Sequence, residues 1–180
     1  MRTSKRESIL QRAIELIEAE GLEAISYESL AEASGMSKSG IIYHFPSRDA
    51  ILRALHEYMA ANWEAELIAA AGGPAHEVSQ ARRLRAMVIS LTRPATKAEL
   101  LLEIDARSHP EFDEYWLEVE RRWSPDIEGI EDDDLRQQAY LVQLLADGLW
   151  LHDYVHTPAL SEEQRAVLSQ RILEMIPDDA

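Results

Sequence analysis

Cysteine is missing from all 180 positions, which excludes disulfides and thiolate metal sites outright. Long apolar runs are missing too, and none approaches the roughly 18 residues that a membrane helix needs. The opening MRTSKRES is polar and is not followed by an uninterrupted apolar core. No secretory signal is therefore expected, and a soluble, cytoplasmic protein is. An enzyme would need a convergent acid–base or nucleophile constellation. The chain has no Gly-x-Ser-x-Gly elbow, no phosphate-binding P-loop and no dinucleotide fingerprint, so neither an enzyme nor a cofactor is expected. Internal repeats, useful strand alternation and low-complexity tracts are absent as well. At this length one or two small domains with a real core are expected.

Positive charge is scarce overall, with 18 Lys and Arg against 33 Asp and Glu. The shortage is uneven. Residues 1–56 hold seven basic and eight acidic side chains, whereas residues 57–180 hold eleven and twenty-five. Arg2, Lys5, Arg6, Lys38 and Arg48 are thus able to form a local basic surface of the kind phosphates attract. The remaining acid serves mainly solubility and weakens nonspecific attraction to nucleic acid.

What the sequence does contain is helix-period patterning from end to end, which predicts an all-α fold. Residues 3–20 place Ile9, Ala13, Leu16 and Ile17 on one face, and Gly21 ends the run,. Helices follow at 27–34, from Lys38 to about Phe45, and at 47–70, the last capped by Ser47. Ala71-Gly72-Gly73-Pro74 breaks the pattern,. Further helices are predicted at about 75–91, 96–107, 110–123, 132–156 and 161–176. Prolines 94, 110, 125 and 158 mark the breaks between them, because proline cannot continue an ordinary helical ladder,.

The most informative stretch is Ser26 to Arg48, SYESLAEASGMSKSGIIYHFPSR. Ser26 is placed to cap helix 27–34, and Gly35 to close it in the left-handed conformation that glycine tolerates. Ser37 caps the next helix after only a few residues. Helix, glycine turn, helix is the helix-turn-helix unit, whose second helix enters the DNA major groove. Its local chemistry is costly. Lys38 and Arg48 stand at first helical positions, where the backbone dipole disfavours a cation by roughly 0.3–1 kcal/mol. Gly40 costs about 1 kcal/mol against alanine inside a helix. Phosphates near these helix starts would compensate, and Gly40 would let the backbone approach a base edge.

The run Ser37-Lys38-Ser39-Gly40-Ile41-Ile42-Tyr43-His44-Phe45-Pro46-Ser47-Arg48 resembles the DNA-binding domain of TetR-type transcriptional repressors, and the resemblance covers residues 1–56. More loosely, LLEIDARSHPEF and YLVQLLADGLWLHDYVH resemble the actinobacterial multidrug-responsive branch. The resemblance implies a three-helix DNA-binding domain at 1–46. A ligand-binding and dimerisation domain at 47–180 would follow, with helix 47–70 connecting the two. Carried over residue by residue, it implicates Ser26, Tyr27, Ser37, Lys38, Ser39, Gly40, Tyr43, His44 and Arg48 in contacts to double-stranded operator DNA. One position departs from the family pattern: its first aromatic, often a phosphate-binding tyrosine, is Ile42 here. Adjacent helical positions point about 100° apart, which leaves open whether Tyr43 takes its place.

The last two helices are the expected dimer surface. Leu141, Leu144, Leu145, Leu149 and Leu151 make 132–156 apolar over more than one stripe, and Val167, Leu168, Ile172, Leu173, Met175 and Ile176 extend 161–176. Such helices need a second burial partner. A homodimer on a palindromic operator would supply it, as the resemblance also implies. Trp63, Trp116, Trp123 and Trp150, with Leu67, Leu100, Ile104, Asp105 and Asp147, are the candidate ligand-binding residues. Aromatic walls with carboxylates suit a small lipophilic, planar cation. The expected function is that of a repressor released from DNA by such a ligand. The alternative is a DNA-binding regulator controlled by a protein partner or by no small molecule. His152 and His156 have a chelating spacing, with Asp105 or His109 as further ligands, but two histidines lack a fixed third and no metal is expected.

Overall fold

The computed structural model describes residues 4–178. Among them are nine α-helices and no strand. These are α1 (Lys5–Glu20), α2 (Tyr27–Ser34), α3 (Lys38–His44), α4 (Arg48–Ala71), α5 (Gln80–Ser90), α6 (Lys97–Ala106), α7 (Pro110–Trp123), α8 (Asp134–Val155) and α9 (Glu162–Glu174). The expected helices are all present, with ends shifted by a few residues. Thr3, the expected first residue of α1, and Arg2 of the expected basic surface lie outside the described residues. The caps explain the boundaries. Ser26 closes a reciprocal capping box with Ser29 at the start of α2, and Gly35 ends that helix at φ 67°. Ser37 Oγ accepts the Gly40 amide at the start of α3, and Ser47 Oγ accepts that of Ala50.

By compactness the chain forms two units, Met1–Ala61 with Thr96–Trp116, and Asn62–Ala95 with Leu117–Ala180. The first gathers α1, α2 and α3 around Ile9, Leu10, Ala13, Ile17, Leu30, Ile41 and Phe45, all buried. It also includes α6, which packs on α1. Glu18 of α1 receives the amides of Lys97 and Ala98 at 3.3 and 2.8 Å. That carboxylate satisfies two of the orphan donors at the start of α6. The second unit is built on Leu84, Val88, Leu91, Ala139, Val142, Ala146, Leu149 and Ile172 from α5, α8 and α9. Buried Arg165 fastens it, donating to the carbonyls of Leu149 at 2.7 Å and Thr92 at 3.3 Å, with Asp153 at 2.9 Å.

Candidate nucleic-acid interface and ligand-site residues

In the helix-turn-helix, α3 turns Ile41 and Phe45 into the core and leaves Lys38, Ser39, Ile42 and Tyr43 exposed. Tyr43 is 85% exposed, and its ring meets His44 edge-on at 5.2 Å between centroids. Ser26 and Ser37 commit one acceptor each to their caps, and the Ser37 and Ser39 hydroxyls lie 3.0 Å apart. Lys38 donates to Glu28 of α2, whose carboxyl it holds below the usual range. Tyr27 is turned inward, and its hydroxyl donates to the Phe45 carbonyl at 3.0 Å, tying the start of α2 to the end of α3. At Gly40 an added Cβ would stand 3.3 Å from Met36 Cε and Ser37 Oγ. A side chain at this position would require Met36 and Ser37 to give by a few tenths of an ångström.

Arg48 requires a revision. The sequence suggests a cation at a costly helix start that a phosphate would relieve, so that its loss would affect folding little. In the structure Nε donates to the Ile25 carbonyl at 3.1 Å and Nη2 to that of Leu22 at 3.3 Å. Arg48 is therefore a strut of its own unit, with the guanidinium still half exposed.

The candidate ligand residues are divided between the two units. In the first unit Asp105 and Trp116 meet on His56, a histidine with no exposed surface. Trp116 Nε1 donates to His56 Nδ1 at 3.1 Å, and His56 Nε2 stands 3.3 Å from Asp105. Phe112 stacks on the imidazole at 4.8 Å. An indole only donates, so Nδ1 is the acceptor and the proton sits on Nε2, facing Asp105. Burial holds His56 below the ordinary imidazole pKa, outweighing the pull of Asp105 in the other direction. On the same helix as Asp105, Leu100 is half-buried and Ile104 is exposed.

In the second unit Trp123 is buried and its indole donates to Glu64 at 3.2 Å, while Arg122 grips the same carboxylate at 2.7 and 2.9 Å. Burial raises the Glu64 pKa, but these donors and the Arg122 charge more than offset it, so the net direction is down. Asp147 is half-buried and accepts from Gln143 Nε2 at 2.8 Å. Burial pushes its pKa from 3.8 to about 6, Gln143 opposes this, and the charge of Glu120 adds to it. Leu67 is fully buried in α4, and Trp63 is half-buried. Trp150 is half-buried against the α5–α8–α9 core, and its carbonyl accepts the Ala95 amide at 2.9 Å. On α8 the His152 and His156 rings lie 5.0 Å apart, with His152 bound to Asp153 at 3.1 Å.

His56, Glu64 and Gln143 are absent from the sequence-derived set. For His56 a signal existed: it shares an i, i+4 face with buried Leu52 and Ala60, and a histidine in an apolar phase must find partners. Replacing Trp116 with phenylalanine removes the donor to Nδ1. This should cost about 1–3 kcal/mol in thermal or urea unfolding and raise the His56 pKa followed by imidazole NMR. In the parent, the unfolded state takes up the His56 proton first, so stability should fall as pH drops below about 6.5.

The geometry is that of a helix-turn-helix regulatory protein, all-α in both units. Residues 9–55 match the family described as bacterial regulatory proteins, tetR family, and residues 81–177 match the tetracyclin repressor-like C-terminal domain. The chain belongs to the TetR family, a family of regulators and not of enzymes. The HTH-type transcriptional regulator RutR of Escherichia coli K12 is 31% identical over 65 residues, 36% of this chain and 31% of RutR. The alignment thus spans about a third of that relative.

Solved structures extend the likeness along the whole chain. A putative transcriptional regulator from Saccharomonospora viridis, crystallised with choline, superposes with a TM-score of 0.71 at 22% identity, over 97% of this chain and 96% of that one. The putative regulator SCO7518 of Streptomyces coelicolor gives 0.62 at 21%, over 95% and 97%. The multidrug binding protein EbrR, complexed with imidazole, gives 0.59 at 18%, over 99% and 98%. At these identities the likeness is one of fold.

Proposed function

We propose that the protein is a sequence-specific DNA-binding transcriptional regulator. In this reading it is a homodimeric repressor released from palindromic operator DNA by a small lipophilic ligand, with a planar cation favoured. The observation that carries the DNA reading is the exposed outer face of α3, with Lys38, Ser39 and Tyr43 beside the capped start of α2. Residues 1–46 form the DNA-binding part and residues 47–180 the ligand and dimer part, and α4, the first helix of the second part, connects the two. Release is linkage: the ligand shifts the equilibrium only by its differential affinity for two states, typically about 1–3 kcal/mol.

Two further observations support the rest of the reading. Leu141, Leu144, Leu145, Val167, Leu168 and Met175 of α8 and α9 and its C-terminal end are exposed in the single chain, an apolar surface that a second copy would cover. Half-buried Asp147 is a costly carboxylate that a bound cation would relieve. Choline, the ligand of the Saccharomonospora viridis structure, carries a positive charge but is neither planar nor lipophilic, so it supports the charge of the proposed ligand and not its shape.

The phosphate role of Lys38 is tested by salt-dependent binding to an operator selected from random duplexes. Lys38→Ala should weaken binding and lower the slope of log K against log salt by about one. Glu28→Gln frees the ammonium and should strengthen binding. An unchanged slope in Lys38→Ala counts against the contact. Arg48→Ala should lower affinity and melting temperature together, because it also releases the Leu22 and Ile25 carbonyls. The ligand reading is tested by titration with a cationic dye. Tryptophan fluorescence should quench over the concentration range in which operator affinity falls, and anionic analogues of the same shape should bind less well. Quenching without loss of operator binding would separate the site from the switch.

A further inference from the structure

Ile42 is the residue of α3 that departs from the family pattern and that the DNA contacts described so far leave without a role. Ile41 and Phe45 fix the inward side of the helix. With about 100° between successive positions, Ser39 and Tyr43 then point directly outward and Ile42 stands on the flank of that face. It remains 42% exposed. Its neighbours one turn earlier are Lys38 and Ser39, so a stiff, branched alkyl group stands among polar side chains on the surface assigned to DNA. Isoleucine has no donor or acceptor, so it has nothing to offer a phosphate oxygen or a polar base edge. The major groove presents one apolar group, the 5-methyl of thymine.

The side chains around it divide the remaining work. Lys38 holds the charge on one side, paired with Glu28 in the free protein. Ser39 shares its hydroxyl with Ser37 at 3.0 Å. Tyr43, 85% exposed, carries the phenol hydroxyl of this helix, a donor that a phosphate oxygen can accept,. A β-branched side chain is also restricted at χ1, so Ile42 meets the groove in a fixed orientation and loses little freedom on binding.

We infer that Ile42 reads a thymine in each operator half-site through van der Waals contact with its 5-methyl group, with the phosphate role at this end of α3 passing to Tyr43. The inference rests on the DNA-binding reading proposed above. The test uses the full chain. Duplexes are selected from a random pool, and each thymine of the preferred site is then replaced by deoxyuridine, which removes only the methyl. In the parent protein one thymine per half-site should be sensitive, losing about fourfold in affinity per half-site, the worth of one buried methyl. In Ile42→Ala that sensitivity should vanish while every other position keeps its preference, and Ile42→Val should retain it. Because Ile42 is exposed, both variants should melt as the parent does.

Tight, selective binding that is indifferent to deoxyuridine at every position overturns the inference and leaves the DNA reading standing. A sensitivity that persists in Ile42→Ala does the same. Failure of the parent to enrich any duplex overturns the DNA reading, and this inference with it.

Discussion

Leu168→Asp or Leu145→Asp should convert the protein to a monomer in sedimentation and lower affinity for a palindromic operator by about a hundredfold or more, with helix content retained. The reasoning turns on where these side chains stand. Leu145 and Leu168 are 44% and 43% exposed in the single chain, so a carboxylate there costs the isolated fold little, as surface substitutions generally do. In the proposed dimer the same carboxylate is buried without a partner, at a cost of several kcal/mol. Loss of the dimer also removes the gain from binding two linked half-sites, worth roughly 10²–10⁴ in affinity. Ile172→Asp is the contrasting variant. Ile172 is 7% exposed and belongs to the α5–α8–α9 core, so its replacement should unfold the second unit rather than split a dimer. A Leu168→Asp protein that stays dimeric with full operator affinity would place the interface elsewhere.

Asp147→Asn should stabilise the free protein at neutral pH and weaken cationic ligands at the same time. A carboxyl displaced from 3.8 to about 6 by burial has its ionised form penalised by about 3 kcal/mol in the folded state. The folded protein holds this proton where the unfolded chain has released it. Stability therefore falls as pH rises from about 4 to 6 and levels off above. Asparagine removes the charge and keeps an acceptor for Gln143 Nε2. At about pH 7.5 the gain should approach the full penalty, at about 2–3 kcal/mol, and it should shrink to nothing near pH 4. Urea titrations at the two pH values measure it. A gain independent of pH would mean that packing, not ionisation, is responsible. Stability gained by loss of ligand affinity would mark Asp147 as a residue kept for binding.

Local structure was legible because its causes are local. Ser26, Gly35, Ser37 and Ser47 each act within three or four residues of themselves, and proline and glycine interrupt a helix wherever they stand. These residues located α1 through α4 and the breaks after them. The partners of polar side chains were not legible, since they come from far along the chain. Asp105 lies 49 positions from His56, and Trp116 lies 60 positions from it. The carbonyls that occupy Arg48 are 23 and 26 positions back. Pattern alone made Arg48 a cation waiting for an anion, and only the fold reveals the oxygen atoms it already has. Composition grouped the tryptophans as aromatic walls, yet Trp116 and Trp123 are each committed through the indole N–H to a different partner. The grouping of α6 with the helix-turn-helix was equally invisible, because it depends on which face of α1 is left to cover.

That grouping bears on modularity. Ala98, Leu102 and Phe112 are buried in the first unit, and the Glu18 carboxylate seats the start of α6. A reading head cut from this chain after residue 61 would carry an uncovered apolar face and a histidine stripped of Asp105, Phe112 and Trp116. Chimeric regulators made by grafting it onto a foreign effector domain would have to bring residues 96–116 along, or supply a helix of the same shape. On the proposed DNA-binding reading, the block to be transferred is discontinuous, residues 1–61 together with 96–116, interrupted by residues 62–95 that belong to the second unit.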